Sequence, residues 1–207
     1  MIPLDIFADP VCPWCLIGKV ELDRALESRP SHPFQIAWHP FRLNPQMPQG
    51  GMDRTAYLRA KLGPRAEDAS RAVAQRAAAL GLVLNPSPRE PDTTDAHRLM
   101  HWAGLEGAQT PVMSGLLRAH WQEARDIGDA AELTRIAAAG GMDAGLVTRL
   151  LSSNADRDQV AAREQHARDR GITSVPTFIV ADRHAISGAQ PASLWRQVID
   201  ELAEGPK

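Results

Sequence analysis

Residues 9–19 read DPVCPWCLIGK, and they hold both cysteines of the 207-residue chain, Cys12 and Cys15. Ahead of them, the short apolar stretch PLDIFAD (3–9) runs into Asp9-Pro10, the pattern of a strand that stops at a turn. From Pro13 onward, Trp14, Ile17, Leu22 and Leu26 fall roughly on one face at helical spacing, so a helix begins at the cysteines. PFQIAWHPFRL (33–43) reads as a second strand. Strand, helix, strand is the opening of a βαβ unit.

Two thiols at this spacing suit dithiol chemistry. Cys12 falls at the helix start, where unpaired backbone N–H groups and the positive end of the helix dipole favour a thiolate. Cys15 lies a turn further in, within disulfide reach. Pro13 fits the first helical position because its missing N–H has no intrahelical partner there. Cys12 is therefore read as the attacking thiol and Cys15 as the resolving one. Pro13 and Trp14 tune the redox poise, and Trp14 offers an apolar rim to a substrate. The competing readings are two structural thiols or half of a zinc site. Zinc needs about four N or S ligands, and no spaced histidine pair lies near the motif. His97 and His101, four apart on a predicted helix, read as ordinary helix-face residues, so no metal is expected.

The rest of the chain changes character. Residues 44–54, NPQMPQGGMDR, form a Pro/Gly-rich linker. Ala/Leu/Arg-rich helices then run to about Ala139, broken at Gly63-Pro64, Asn85–Pro91 and Gly140-Gly141. One of them, PVMSGLLRAHWQEARDI, is expected to reach Ile127. Helices over 143–153 and 154–171 follow, the second with Asn154 as N-cap and Gly171 as its stop. ITSVPTFIVADRHAISG (172–188) reads as a hairpin turning near Asp182-Arg183, and PASLWRQVIDELAE (191–204) as an amphipathic helix. The order βαβ, helices, ββα defines an α/β unit, residues 1–47 and 155–207, interrupted by an all-helical insertion over 48–154.

A net charge of −2 gives no electrostatic footprint for nucleic acid. No apolar run approaches the roughly 20 residues of a membrane span. The N-terminus MIPLDIFADP lacks the basic region of a secretory signal, so a cytoplasmic location is expected, where a disulfide scaffold would not persist. Trp38, Phe41, Trp102, Trp121 and Trp195 read as core or interface packing. Asp9 reads as an exposed turn cap, His97 and Arg98 as helical contacts between the two parts, and the charges of 156–170 as a solvated helix face. Pro176 in SVPTF belongs at an edge or bend; the local sequence leaves its peptide bond open between cis and trans.

Taken together, CPWC after the first strand, a helical insertion and GITSVPTF before a terminal ββα resemble the DsbA-like branch of the thioredoxin superfamily. More narrowly they resemble its cytoplasmic FrnE-like proteins, as do WHPFRLNP (38–45), TTDAHRLMHWA (93–103), HWQEARDIGD (120–129) and VPTFIVADRHAISGAQP (175–191). The resemblance implies a thioredoxin fold with a helical domain in its middle. It also implies a disulfide oxidoreductase that cycles Cys12 and Cys15 between dithiol and disulfide, without a bound organic cofactor. Pro176 matches the family's cis-proline, which brings the Val175 backbone beside the sulfurs, where an extended substrate can pair with it. Implied partners are disulfide-containing proteins or small molecules, with glutathione as reductant or ligand. The acid that such enzymes often carry six residues before the first cysteine is Ile6 here, which leaves the proton carrier unassigned. The alternative is a glutathione-dependent isomerase or transferase, of the kappa-class or 2-hydroxychromene-2-carboxylate isomerase type; these generally carry serine at the motif.

Overall fold

The computed structural model describes residues 1–204. Strands β1 (Ile2–Ala8), β2 (Phe34–Pro40), β5 (Thr177–Val180) and β6 (His184–Ser187) form one sheet in the order β2-β1-β5-β6. β1 and β2 are parallel, joined by helix α1 (Pro13–Glu27); β5 runs antiparallel to both β1 and β6. All four residues of central β5 are buried, whereas β6 is mostly exposed at an edge. The hairpin between them turns on Ala181 and Asp182, both in the left-handed region at φ 55° and 57°. The final helix, α9 (Ala192–Glu204), sets Trp195 edge-to-face on Phe178, ring centroids 4.7 Å apart. α1 packs beside α9 and approaches β5 through Gly18, where a Cβ would stand 3.1 Å from Pro176 Cγ and 3.4 Å from Phe178 Cζ.

Between β2 and β5 the chain is mostly helical, with one exception. Met52–Asp53 (β3) pairs antiparallel with Arg89–Glu90 (β4), a small ribbon inside stretches expected to be linker. Helices α2 (Arg54–Leu62), α3 (Ala66–Ala79), α4 (Thr94–Leu105), α5 (Gln109–Gln122), α6 (Ala130–Ala139), α7 (Ala144–Leu151) and α8 (Arg157–Asp169) complete the order. α5 stops earlier than its apolar pattern suggests. Ala124 turns to φ 54° and donates its amide to the Asn85 carbonyl, so the backbone leaves the helix for a tertiary partner. Asn154 does not cap α8. Asp156 occupies that position at φ 58° and spends its carboxylate on the Trp102 indole, 2.8 Å away.

The free edge of β2 is closed by a side chain. Gln109, at the start of α5, accepts from the Trp38 amide at 2.9 Å and donates to the Trp38 carbonyl at 3.0 Å, as a neighbouring strand would. Trp38 Nε1 adds a bond to Thr110. The tryptophans expected in the core, Trp38, Trp102, Trp121 and Trp195, are all buried, as is Phe41. The charges of α8 are not all solvated. Glu164 is buried, receives Arg42 and Arg168, and has its carboxyl held low because those hydrogen bonds outweigh its desolvation.

Candidate active site

The pairing of β5 with β1 sets Thr177 opposite Phe7, so Pro176 stands at the carboxyl end of β1, where the chain leaves for Cys12. The Val175–Pro176 peptide bond is cis. Cys12 is the N-cap of α1, extended at φ −84°, ψ 118°, with Pro13 in the first turn and no acidic residue there. Its Sγ lies 3.5 Å from the Val175 carbonyl oxygen and donates to it. Thus Cys12, Cys15, Pro13, Trp14, Val175 and Pro176 do come together at one end of the sheet. Trp14 is 39 % exposed, while the two sulfurs are covered.

Both thiols are free, and their surroundings differ. Cys15 is pushed well above the ordinary thiol value, first by burial, then by its hydrogen bond with Cys12 and the charges of Cys12 and Asp9; the Asp9 amide opposes this. A thiol that holds its proton so firmly is a poor initial nucleophile. Cys12, at the positive end of the helix dipole, is the better placed attacker.

The loop carrying the cysteines is fastened by residues distant in sequence. Asp9 is not an exposed cap: it is fully buried. Its carbonyl takes the Cys12 amide at 2.9 Å, and its Oδ2 takes the Leu43 amide at 2.7 Å. His97 of α4, also buried, faces Asp9 Oδ1 with Nε2 at 3.5 Å, and neither atom has a hydrogen-bond partner. Trp121 of α5 donates its indole N–H to the Pro10 carbonyl at 3.0 Å. Arg54 lies over the Trp121 ring, 4.6 Å from its centroid, and pairs with buried Glu90 at 2.5 Å. Burial carries Glu90 up to about 7 against the pull of Arg54. His120, next to Trp121, is driven down to about 3 by burial and then by Arg54, and neither ring nitrogen has a partner.

Asp9, His97 and the indole of Trp121 are the site neighbours that sequence reasoning missed. Adjacency to the motif could have flagged Asp9, but no spacing pattern joins it to His97. Arg98 is structural, holding Asp95 and the carbonyls of Leu150, Ser153 and Ala155 around the α7–α8 connection. His97 and His101 do not converge. The first turns to Asp9, and the second meets Arg163, Nδ1 to Nη1 3.1 Å.

The structure thus sets a buried dithiol at a helix start against a proline just ahead of a central strand. The pattern of the DSBA-like thioredoxin domain matches residues 3–200, and the chain belongs to that family. A probable DsbA oxidoreductase of Streptomyces coelicolor is 28% identical and superimposes with a TM-score of 0.87, over 100% of this chain and 92% of its own. A 2-hydroxychromene-2-carboxylate isomerase (18% identical, TM-score 0.72, 98% and 96% covered) shares the fold. So does the cytosolic disulfide reductase DsbM of Pseudomonas aeruginosa, solved with glutathione (17% identical, TM-score 0.68, 98% and 99% covered).

Proposed function

We propose that this protein is a FrnE-like, cytoplasmic thiol–disulfide oxidoreductase whose Cys12-Pro13-Trp14-Cys15 dithiol exchanges with protein or small-molecule disulfides. The observation that carries this reading is the asymmetry of the two sulfurs. Cys12 opens a helix beside the Val175 backbone, whereas Cys15 lies behind it with its proton firmly held. In this reading Cys12 thiolate attacks one sulfur of a substrate disulfide, and the other sulfur leaves as a thiolate that takes a proton. Cys15 then attacks Cys12 Sγ, which forms the Cys12–Cys15 disulfide and releases the second substrate thiol. An extended substrate lies along Val175 beside Pro176, with exposed Trp14 as its apolar rim.

Residues 1–47 and 155–207 carry this chemistry, and 48–154 wall it from one side. Glutathione serves as reductant, a role supported by the glutathione in the DsbM structure. The direction of electron flow follows the potential of the pair against the glutathione poise.

Trapping tests the proposal. Cys15→Ser should accumulate a mixed disulfide through Cys12, and Cys12→Ser should abolish insulin reduction and any mixed disulfide. At neutral pH, Cys12 of the parent should alkylate well before Cys15. Glutathione conjugation that survives both serine substitutions would replace this reading with the isomerase or transferase one.

A further inference from the structure

We propose that Trp121 and Arg54 are positioning residues for the first exchange: the Trp121 indole fixes the turn that presents Cys12, and the Arg54 guanidinium fixes the indole. This rests on the oxidoreductase reading above and extends it, because it gives the helical stretch between β2 and β5 a part in the chemistry. Cys12 closes a tight turn, its amide donating to the Asp9 carbonyl at 2.9 Å. It is held from two sides. On the helix side, its carbonyl takes the Cys15 amide at 3.1 Å and the Leu16 amide at 3.4 Å. On the turn side, the central peptide is Pro10–Val11, and its buried carbonyl takes the Trp121 indole N–H at 3.0 Å across 111 positions of sequence. A rotation of that peptide re-aims Cys12, one residue on, and Sγ with it.

The indole is itself pinned. Trp121, near the end of α5, is buried. Its carbonyl and that of His120 accept the Asn85 and Ser87 amides, both at 2.7 Å, and the His120 ring meets the indole edge-on at 5.0 Å. Arg54, the first residue of α2, lies over the ring with Cζ 4.6 Å from the centroid. Arg54 is fixed in turn by Glu90 at 2.5 Å and by its own amide on the Pro88 carbonyl at 2.9 Å. A cation over an indole is attracted to the ring face and draws electron density from it, which makes the N–H a stronger donor. An indole has one donor and no acceptor, so Trp121 commits its single polar group to the cysteine turn.

The chain Glu90–Arg54–Trp121–Pro10 therefore ends two residues short of the attacking sulfur. Its effect falls on direction rather than on charge. In the first exchange the Cys12 thiolate attacks along the axis of the substrate disulfide. The bond from Cys12 Sγ to one sulfur forms as the S–S bond breaks, and the other sulfur leaves as a thiolate. Such a step is sensitive to aim, and a misplacement of about 1 Å can slow a reaction about a hundredfold. A turn free to swing thus slows attack on a disulfide while the supply of thiolate stays as it was. Iodoacetamide, a small reagent that approaches from many directions, depends on that supply alone.

The test uses Cys15→Ser protein, which stops after the first exchange. Mixing with glutathione disulfide, acid quench and intact mass give the rate of mixed-disulfide formation. Iodoacetamide alkylation across the pH range in which thiols ionise gives the thiolate supply of Cys12. Trp121→Phe should slow mixed-disulfide formation about tenfold, the rate equivalent of one hydrogen bond, and leave the alkylation profile within about twofold of the parent. Arg54→Met should slow it about fivefold, and Arg54→Lys, which keeps a cation over the ring, should restore most of the loss. A merely structural loss would move both reactions together and would not be rescued by lysine. Exchange by W121F within about twofold of the parent overturns the role of Trp121. An R54M rate equal to the parent's, or R54K no faster than R54M, overturns that of Arg54. An alkylation profile that moves in step with exchange overturns both, because the effect is then one of thiolate supply. Should W121F fail to fold, β-(3-benzothienyl)alanine at position 121 keeps the ring's shape without the N–H: slowing of about tenfold supports the proposal, and a parent-like rate sinks it. If the Cys15→Ser parent alkylates at Cys12 yet forms no mixed disulfide, the oxidoreductase reading fails instead.

Discussion

Replacing His120 with phenylalanine should make the protein gain stability in acid relative to the parent. Burial, aided by Arg54, lowers the His120 imidazole from 6.5 to about 3. Between these values the unfolded chain binds a proton that the folded protein refuses. The contribution of His120, complete above 6.5, is therefore lost as pH falls toward 3. At about 1.4 kcal/mol per pH unit, moving from pH 7.5 to 4.5 removes about 3 kcal/mol. Glu90 has the opposite sign. Raised from 4.5 to about 7, it keeps its proton in the folded protein after the unfolded chain has lost it. Its contribution is complete below 4.5 and is lost as pH rises through 7, so the same acidification returns about 3 kcal/mol. The two slopes offset each other in the parent, and single substitutions expose them. His120→Phe retains an aromatic ring beside Trp121, which His120 meets edge-on at 5.0 Å. Its stability relative to the parent should rise by about 3 kcal/mol from pH 7.5 to 4.5, while that of Glu90→Gln should fall by about as much. Urea unfolding followed by tryptophan fluorescence at the two pH values measures both. A parent-to-H120F difference that stays constant to within about 0.5 kcal/mol would refute a neutral buried His120.

Gln109→Ala strips the Trp38 amide and carbonyl of their partners and should cost about 2 kcal/mol in urea unfolding, the scale of unsatisfied backbone groups. Trp121→Phe loses the bond to the Pro10 carbonyl. It should lower stability by about 1 kcal/mol and slow turnover of a disulfide substrate, because the cysteine loop is less firmly held. Gly51, at φ 67°, would place a Cβ 2.5 Å from the Glu90 carbonyl. Gly51→Ala should therefore destabilise by about 2 kcal/mol or more, read as a lower thermal midpoint.

The parts of the fold legible in the sequence are those written locally. The strand into Asp9-Pro10, the helix opening at Pro13 and the hairpin around Asp182 each carry their own period and turn residues. The β3–β4 ribbon does not: two residues a strand is too short for a pattern, and its pairing joins positions 52 and 90. The end of α5 and the start of α8 depart from their local patterns because Asn85 and Trp102, remote in sequence, claim the Ala124 amide and the Asp156 carboxylate. The site divides in the same way. Cys12 and Cys15 announce themselves by type and spacing, whereas Pro176 is legible only through the family resemblance, its own neighbours leaving the peptide bond open. The burial of Asp9 depends on the Leu43 amide and on His97, which only the folded chain brings near.

Gln109 also bears on how copies of this chain meet one another. An amide side chain that mimics a strand leaves β2 with no exposed template along Trp38, so growth of the sheet by a second molecule is blocked there. The opposite margin, β6, is only four residues long, a poor start for a fibril. One glutamine thus blocks strand addition at Trp38, on the longer border of the sheet.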